Sequence, residues 1–212
     1  KIMDKKISVS TVVIAAVIVA AVGLLIWGGS RNKTIAPAVD KHGHPIAANV
    51  SAVPLDAFID KPSPDFSLAD RDGEVYSLSE LRGKSIILFF NEGLMCYPAC
   101  WNQIAALAKD ERFNNTDTVV LSVVVDSPGE WQKAIEQMPE LAKATVVFDK
   151  NAAVSKQFGM LTTASSMHYG SLPGHSFILI DKEGVIRHIF DDPNMSIHDD
   201  QLVAEINKLS KN

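Results

Sequence analysis

The chain has 212 residues, 47% of them hydrophobic, and a formal net charge of −5 at neutral pH. That length suits one domain with a sizeable core plus appended segments. The acidic balance argues against nucleic acid or anionic lipid as a partner, so no nucleic-acid partner is expected.

The first segment is the most biased. No charged residue occurs between Lys6 and Arg31. As a helix, the run from Ile7 to Trp27 is long enough to cross roughly 30 Å of hydrocarbon, which takes about 20 residues. Lys1, Lys5 and Lys6 precede the run, and Trp27 stands where an interfacial aromatic belongs. These features predict a cytoplasmic N-terminus (1–6), a transmembrane anchor (7–28) and an extracytoplasmic linker rich in Ala, Pro and Val (29–60). The expected localisation is the cell membrane, single-pass, with the main domain (61–212) outside the cytoplasm.

Within that domain, PDFSLADRDGEVYSL alternates apolar and polar residues about a DG turn and predicts a β-hairpin over Asp65–Leu78. SIILFF is a continuous apolar run, as expected of a strand buried on both faces. ACWNQIAALAKDERF then sets Ile104, Leu107 and Ala108 on one helical face. TDTVVLSVVVDS predicts a second buried strand, and PGEWQKAIEQM a helix with Pro128 after Ser127. ATVVFD reads as a short strand and NAAVSKQFG as a short helix stopped by Gly159. SFILID and GVIRHIF form two strands about a KEG turn, and DDQLVAEINKLSK closes as an amphipathic helix. The order defines an α/β sandwich with a central mixed β-sheet flanked by helices.

Both cysteines lie in NEGLMCYPACWNQI, just past the first buried strand, where α/β sheets place their chemistry. A thiol immediately before a helix feels the partial positive charge of the helix N-terminus, which favours thiolate; this position is expected for Cys96. Pro98 suits the first helical turn, and Cys100 falls one turn further on. Side chains four apart on a helix lie about 5–6 Å apart at Cβ, within reach of a disulfide after a modest adjustment. The same spacing suits two soft ligands on one metal. A redox couple, a metal clamp and a purely structural disulfide all remain open at this point.

The order PDFSL, DG, YSLSELRGKSIILFF, the cysteine segment, VVLSVVVDSPGEW, VVFDKNAAVSKQFGM and PGHSFILIDKEGVIRHI resembles the thioredoxin-fold redoxins, namely the AhpC/TSA (peroxiredoxin-type) and TlpA-like proteins. The resemblance implies a thioredoxin-like sandwich and thiol-dependent oxidoreductase activity without a resident cofactor. Protein thiols and disulfides, or hydroperoxides, would be the substrates. Cys96 would attack and Cys100 resolve, and Pro173 would be the cis-proline that faces the pair in such folds. The TlpA-like motif, however, has two residues between its cysteines, against the three here. A peroxidase is a second implication, although Gly93 stands where peroxiredoxins carry Thr or Ser three before the attacking cysteine, and Arg187 follows the SFILID strand instead of preceding it. Glu92 is a candidate hydrogen-bonding partner for a peroxide. A third implication follows from features similar to Sco-type copper chaperones: copper held by Cys96, Cys100 and His175, with Met160, Met167 and His168 lining the same site.

Overall fold

The computed structural model describes residue 52 and residues 54–209 except Asn114. The expected N-terminus (1–6), the anchor (7–28) and most of the linker (29–60) lie outside the described residues. Among the described residues no helix is long and apolar enough to cross a membrane.

The sheet contains β1 (Ser67–Asp70), β2 (Val75–Ser77), β3 (Ser85–Phe90), β4 (Thr118–Val124), β5 (Val146–Phe148), β6 (Ser176–Ile180) and β7 (Ile186–Asp191). Their order across the sheet is β2-β1-β5-β4-β3-β6-β7. β4 pairs in parallel with β3 and β5, while β1–β2, β1–β5, β3–β6 and β6–β7 are antiparallel. The expected mixed sheet and both expected hairpins are therefore present.

All six residues of β3 are buried, and the two-residue strand period explains how one apolar run serves two cores. Ile86, Leu88 and Phe90 enter the cluster that holds Phe66, Phe158 and Met160. Ile87 and Phe89 face the other side, beneath helices α1 (Ala99–Lys109), α2 (Pro128–Gln137) and α4 (Asp199–Leu209), with Trp101, Trp131 and Leu202. Each such large side chain removed from water is worth roughly 1.5–3 kcal/mol. Helix α2 starts with a capping box: the Glu130 N–H donates to Ser127 Oγ, and the Glu130 carboxylate accepts from the Ser127 N–H. The short helix α3 (Ala153–Gln157) takes two N–H bonds on Asp149, from Val154 at 3.0 Å and Ser155 at 2.7 Å, and ends before Gly159.

Topology brings distant residues to one end of the sheet. Because β6 runs antiparallel to β3, its first residue Ser176 pairs with Phe90, the last residue of β3. Asp191, the last residue of β7, pairs with the same Ser176. The segments after β3, before β6 and after β7 therefore meet.

Candidate active site

Asn91 prepares the turn that carries the cysteines. Its amide donates to the carbonyls of Phe89 and Val123, tying β3 to β4, and its Oδ1 accepts the Gly93 N–H at 2.9 Å. Gly93 has φ +56, and a Cβ there would lie 1.7 Å from Asp126 Oδ2. A side chain is therefore excluded at this position on two grounds. The Trp101 indole donates to the Gly93 carbonyl at 3.0 Å, and the Leu94 N–H donates to Asp126 Oδ2 at 3.2 Å. Burial pushes the Asp126 carboxyl above its ordinary range, against the lowering pull of that backbone bond.

Residues Gly93–Cys96 form a 3-10 turn and α1 begins at Ala99. The helix begins where the ACWNQI segment placed it, but Cys100 falls in its first turn and not one turn inside. Cys100 is the second residue of α1, among its free N–H groups, whereas Cys96 stands in the turn before it. The reason is the Tyr97–Pro98 step: Tyr97 is extended (ψ 138) and Pro98 occupies the N-cap position. The stronger helix-terminal stabilisation of a thiolate accordingly falls on Cys100.

The two cysteines form a disulfide, with a Cα–Cα distance of 5.4 Å. Cys96 is 2% exposed and Cys100 is fully buried. His175, one residue before β6, is also fully buried and places Nδ1 3.5 Å from Cys100 Sγ. Its Nε2 lies 3.1 Å from the Ser196 carbonyl oxygen. A carbonyl only accepts, so Nε2 carries the proton, and in the neutral ring Nδ1 presents its lone pair to the sulfur. Phe89 and Phe177 meet the imidazole edge-on at centroid distances of 4.7 and 5.4 Å. Burial in this aromatic cage lowers the His175 pKa to about 4, against smaller upward pulls from the Ser196 carbonyl and Asp192.

Other expected members fall into different places. Pro173 is buried, but its peptide bond is trans; among the described residues the cis bond precedes Pro98. The cis-proline role assigned to Pro173 is corrected accordingly: the residue of this segment that faces the pair is His175, whose carbonyl accepts the Asp192 N–H and extends the β6–β7 ladder. Glu92, 3% exposed, has its carboxylate bonded to the 166–168 loop. Its Oε1 accepts N–H bonds from Met167 at 2.5 Å and His168 at 2.9 Å, and His168 Nδ1 lies 3.0 Å from Oε2. Those bonds tie both carboxylate oxygens to that loop. Met167 borders the cysteine cluster, whereas Met160 belongs to the opposite core. Arg187 sits near the far end of β7, bound to Asp181 at 2.6 Å and Asp60 at 2.8 Å.

Four contributors were not legible in the sequence. Met195 Sδ lies 3.7 Å from Cys96 Sγ. Asp192 organises the loop that carries it, accepting from the N–H groups of Asn194 and Ser196 and pairing with His198 Nε2 at 2.7 Å. Burial raises the Asp192 carboxyl, but the bonds from His198, Ser196 and Asn194 outweigh it and hold the pKa at about 2. Gln103 on α1 accepts the His198 N–H at 2.7 Å and donates to Asp199 at 2.8 Å, joining helix and loop. The only sequence signal was DDPNM, a turn-rich stretch between a strand and a helix.

A mixed sheet between two helical layers, with a cysteine pair at the end of its central strand, defines a thioredoxin-like thiol redox protein. The AhpC/TSA family model matches residues 59–189, and the chain belongs to that family. Peroxiredoxin Bcp of Escherichia coli K12 is 33% identical over 141 residues, covering 65% of this chain and 88% of that protein. The chloroplastic Peroxiredoxin Q of Triticum aestivum is 30% identical over 135 residues, covering 61% of this chain and 57% of that relative. Among solved structures, a peroxiredoxin-like protein from Aquifex aeolicus superposes with a TM-score of 0.61 at 15% identity, covering 81% of this chain and 96% of that one. The reduced 2-Cys peroxiredoxin of Plasmodium vivax gives 0.59 at 22% identity, covering 73% of this chain and 97% of that one. These two support the fold. The protein is a thiol-dependent oxidoreductase of the redoxin type, and its own sulfurs supply the redox chemistry.

Proposed function

We propose that the chain is a membrane-anchored, extracytoplasmic thiol–disulfide oxidoreductase, held by residues 7–28, whose Cys96–Cys100 pair cycles between dithiol and disulfide. The observation that carries this reading is the disulfide itself, closed over a separation of four residues at the end of the central strand. So small a loop contributes little chain-entropy stabilisation, which favours a redox role over a structural one. In the reduced protein the Cys96 thiolate attacks one sulfur of a partner disulfide. The partner's S–S bond breaks, one partner thiolate leaves, and a mixed disulfide forms. The Cys100 thiolate then attacks Cys96 Sγ, the mixed bond breaks, and the second partner thiolate is released. Two electrons pass to the partner, and a reduced protein dithiol must restore the pair.

Hydroperoxide reduction is the alternative within the family. Gly93 in place of a hydroxyl residue, the engaged oxygens of Glu92 and the distant Arg187 weigh against it. The test is insulin-disulfide reduction and hydroperoxide consumption by the full chain, beside Cys96→Ser. Disulfide reduction that disappears in Cys96→Ser supports the reading; a variant that keeps its activity, or that loses only stability, overturns it.

A second reading has one observation in its favour. Cys96 Sγ, Cys100 Sγ and a His175 ring nitrogen lie within 4.8 Å of one another. Two thiolates and an imidazole suit Cu(I) once the disulfide is reduced, so copper delivery remains a second proposal. Titration of the reduced, metal-free chain with Cu(I) against a competing chelator tests it. Tight one-to-one binding lost in His175→Ala supports a carrier, and no tight binding removes this reading.

A further inference from the structure

Cys96 is hidden in an exposed turn. Met95 and Tyr97 on either side are each 57% exposed, against 2% for Cys96. A cover arrives from a residue 99 positions away, Met195, whose Sδ lies 3.7 Å from Cys96 Sγ. The loop holds it there by directed bonds. The Met195 N–H donates to the Asp192 carbonyl at 3.0 Å, and the Asp192 carboxylate fixes the N–H groups of Asn194 at 2.8 Å and Ser196 at 2.7 Å. The Ser196 carbonyl then accepts from His175 Nε2, which couples the loop to the residue beside Cys100. Met195 itself adopts φ +53, a left-handed conformation that side-chain-bearing residues take only where their surroundings impose it.

We infer that Met195 determines the specificity of thiol exchange at Cys96: its thioether must leave the sulfur before an attacking group arrives, which favours a protein partner with an apolar side chain beside its own cysteine over small charged thiols. This inference rests on the oxidoreductase reading and names the partner chemistry of the same site. A small hydrophilic thiol that pushes Met195 into water puts nothing apolar in its place. A protein partner fills the space and adds contacts to Met95, Tyr97 and Ile197, each 57% exposed and all on the two segments that meet at the Cys96–Met195 contact. In the regenerating step a partner thiolate bonds to Cys96 Sγ and the Cys96–Cys100 bond breaks, with Cys100 leaving as a thiolate that takes up a proton. The partner's second thiolate then closes its own disulfide and releases Cys96. Two electrons have moved from the partner dithiol to the pair.

The test measures second-order rates of reduction of the oxidised full chain by glutathione and by reduced thioredoxin, for wild type, Met195→Ala and Met195→Leu. Met195→Ala is expected to raise the glutathione rate at least tenfold and the thioredoxin rate less than threefold. Met195→Leu, still an apolar cover, stays near wild type. A glutathione rate within twofold of wild type in Met195→Ala, or an equal rise for both reductants, overturns the inference. Met195→Gly, suited to the positive φ, serves if the alanine variant fails to fold, with the same criteria. These are stoichiometric reductions, so they remain measurable if Cys96-dependent turnover is absent and the functional reading fails.

Discussion

Acidification of the oxidised protein from pH 7 to 4.5 is expected to remove about 2–3 kcal/mol of stability through His175 alone. The imidazole is fully buried, and burial lowers its pKa from 6.5 to about 4. The folded value lies below the unfolded one, so the unfolded chain takes up the proton first. The stabilisation is complete above about pH 6.5 and is lost as pH falls toward 4. Each pH unit between the two values is worth about 1.4 kcal/mol, and most of the interval has been crossed at pH 4.5. Asp192, held at about 2, loses its own contribution only below the ordinary carboxyl value of 3.8, so the two windows separate. Urea unfolding followed by tryptophan fluorescence measures the effect, since Trp101 and Trp131 are both buried. His175→Gln should be less stable at pH 7 but should show a drop smaller by about 2–3 kcal/mol between the two pH values. An equal drop in wild type and His175→Gln refutes the reasoning.

Gly93→Ala should cost about 2–4 kcal/mol, from the left-handed backbone and the displaced Asp126 carboxylate together, read as a lowered thermal midpoint; an unchanged midpoint would contradict the fit of Gly93 against Asp126. Glu92→Ala strips the acceptor from the Met167 and His168 N–H groups and should cost about 3–5 kcal/mol, whereas Glu92→Gln should cost about half as much. Amide exchange at residues 166–168 should quicken in both variants, and unaltered exchange would show that Glu92 does not hold this loop. Cys96→Ser should cost no more than about 1–2 kcal/mol of unfolding free energy relative to the oxidised wild type, measured by urea unfolding, because the lost disulfide closes so short a loop; a much larger loss would return the pair to a structural role.

The fold was largely legible because its signals are local. SIILFF read as a strand covered on both faces, TDTVVLSVVVDS as a second buried strand, and the DG and KEG turns marked the hairpins. The depth of Cys100 in α1 was not, because the extended Tyr97 and the Pro98 cap set the helix start at Ala99 and leave Cys100 in the first turn. His175 was recognised as a candidate, yet the sequence pattern could not distinguish it from Pro173 as the residue facing the pair. That choice depends on how β6 registers against β3, a non-local property. Met195 and Asp192 left no periodic signal, since their roles arise from a loop folded back over a turn about a hundred positions earlier in the chain. The position of Glu92 beside the cysteines was legible, but its direction into the 166–168 loop was not.

The central claim is that Cys96 exchanges with a partner while Cys100 resolves. The most direct measurement incubates reduced Cys100→Ser with an oxidised protein substrate and identifies the covalent adduct by mass spectrometry, with Cys96→Ser alongside. The expected result is a stable mixed disulfide at Cys96 in Cys100→Ser and none in Cys96→Ser. An adduct formed only through Cys100, or no adduct in either variant, would contradict it.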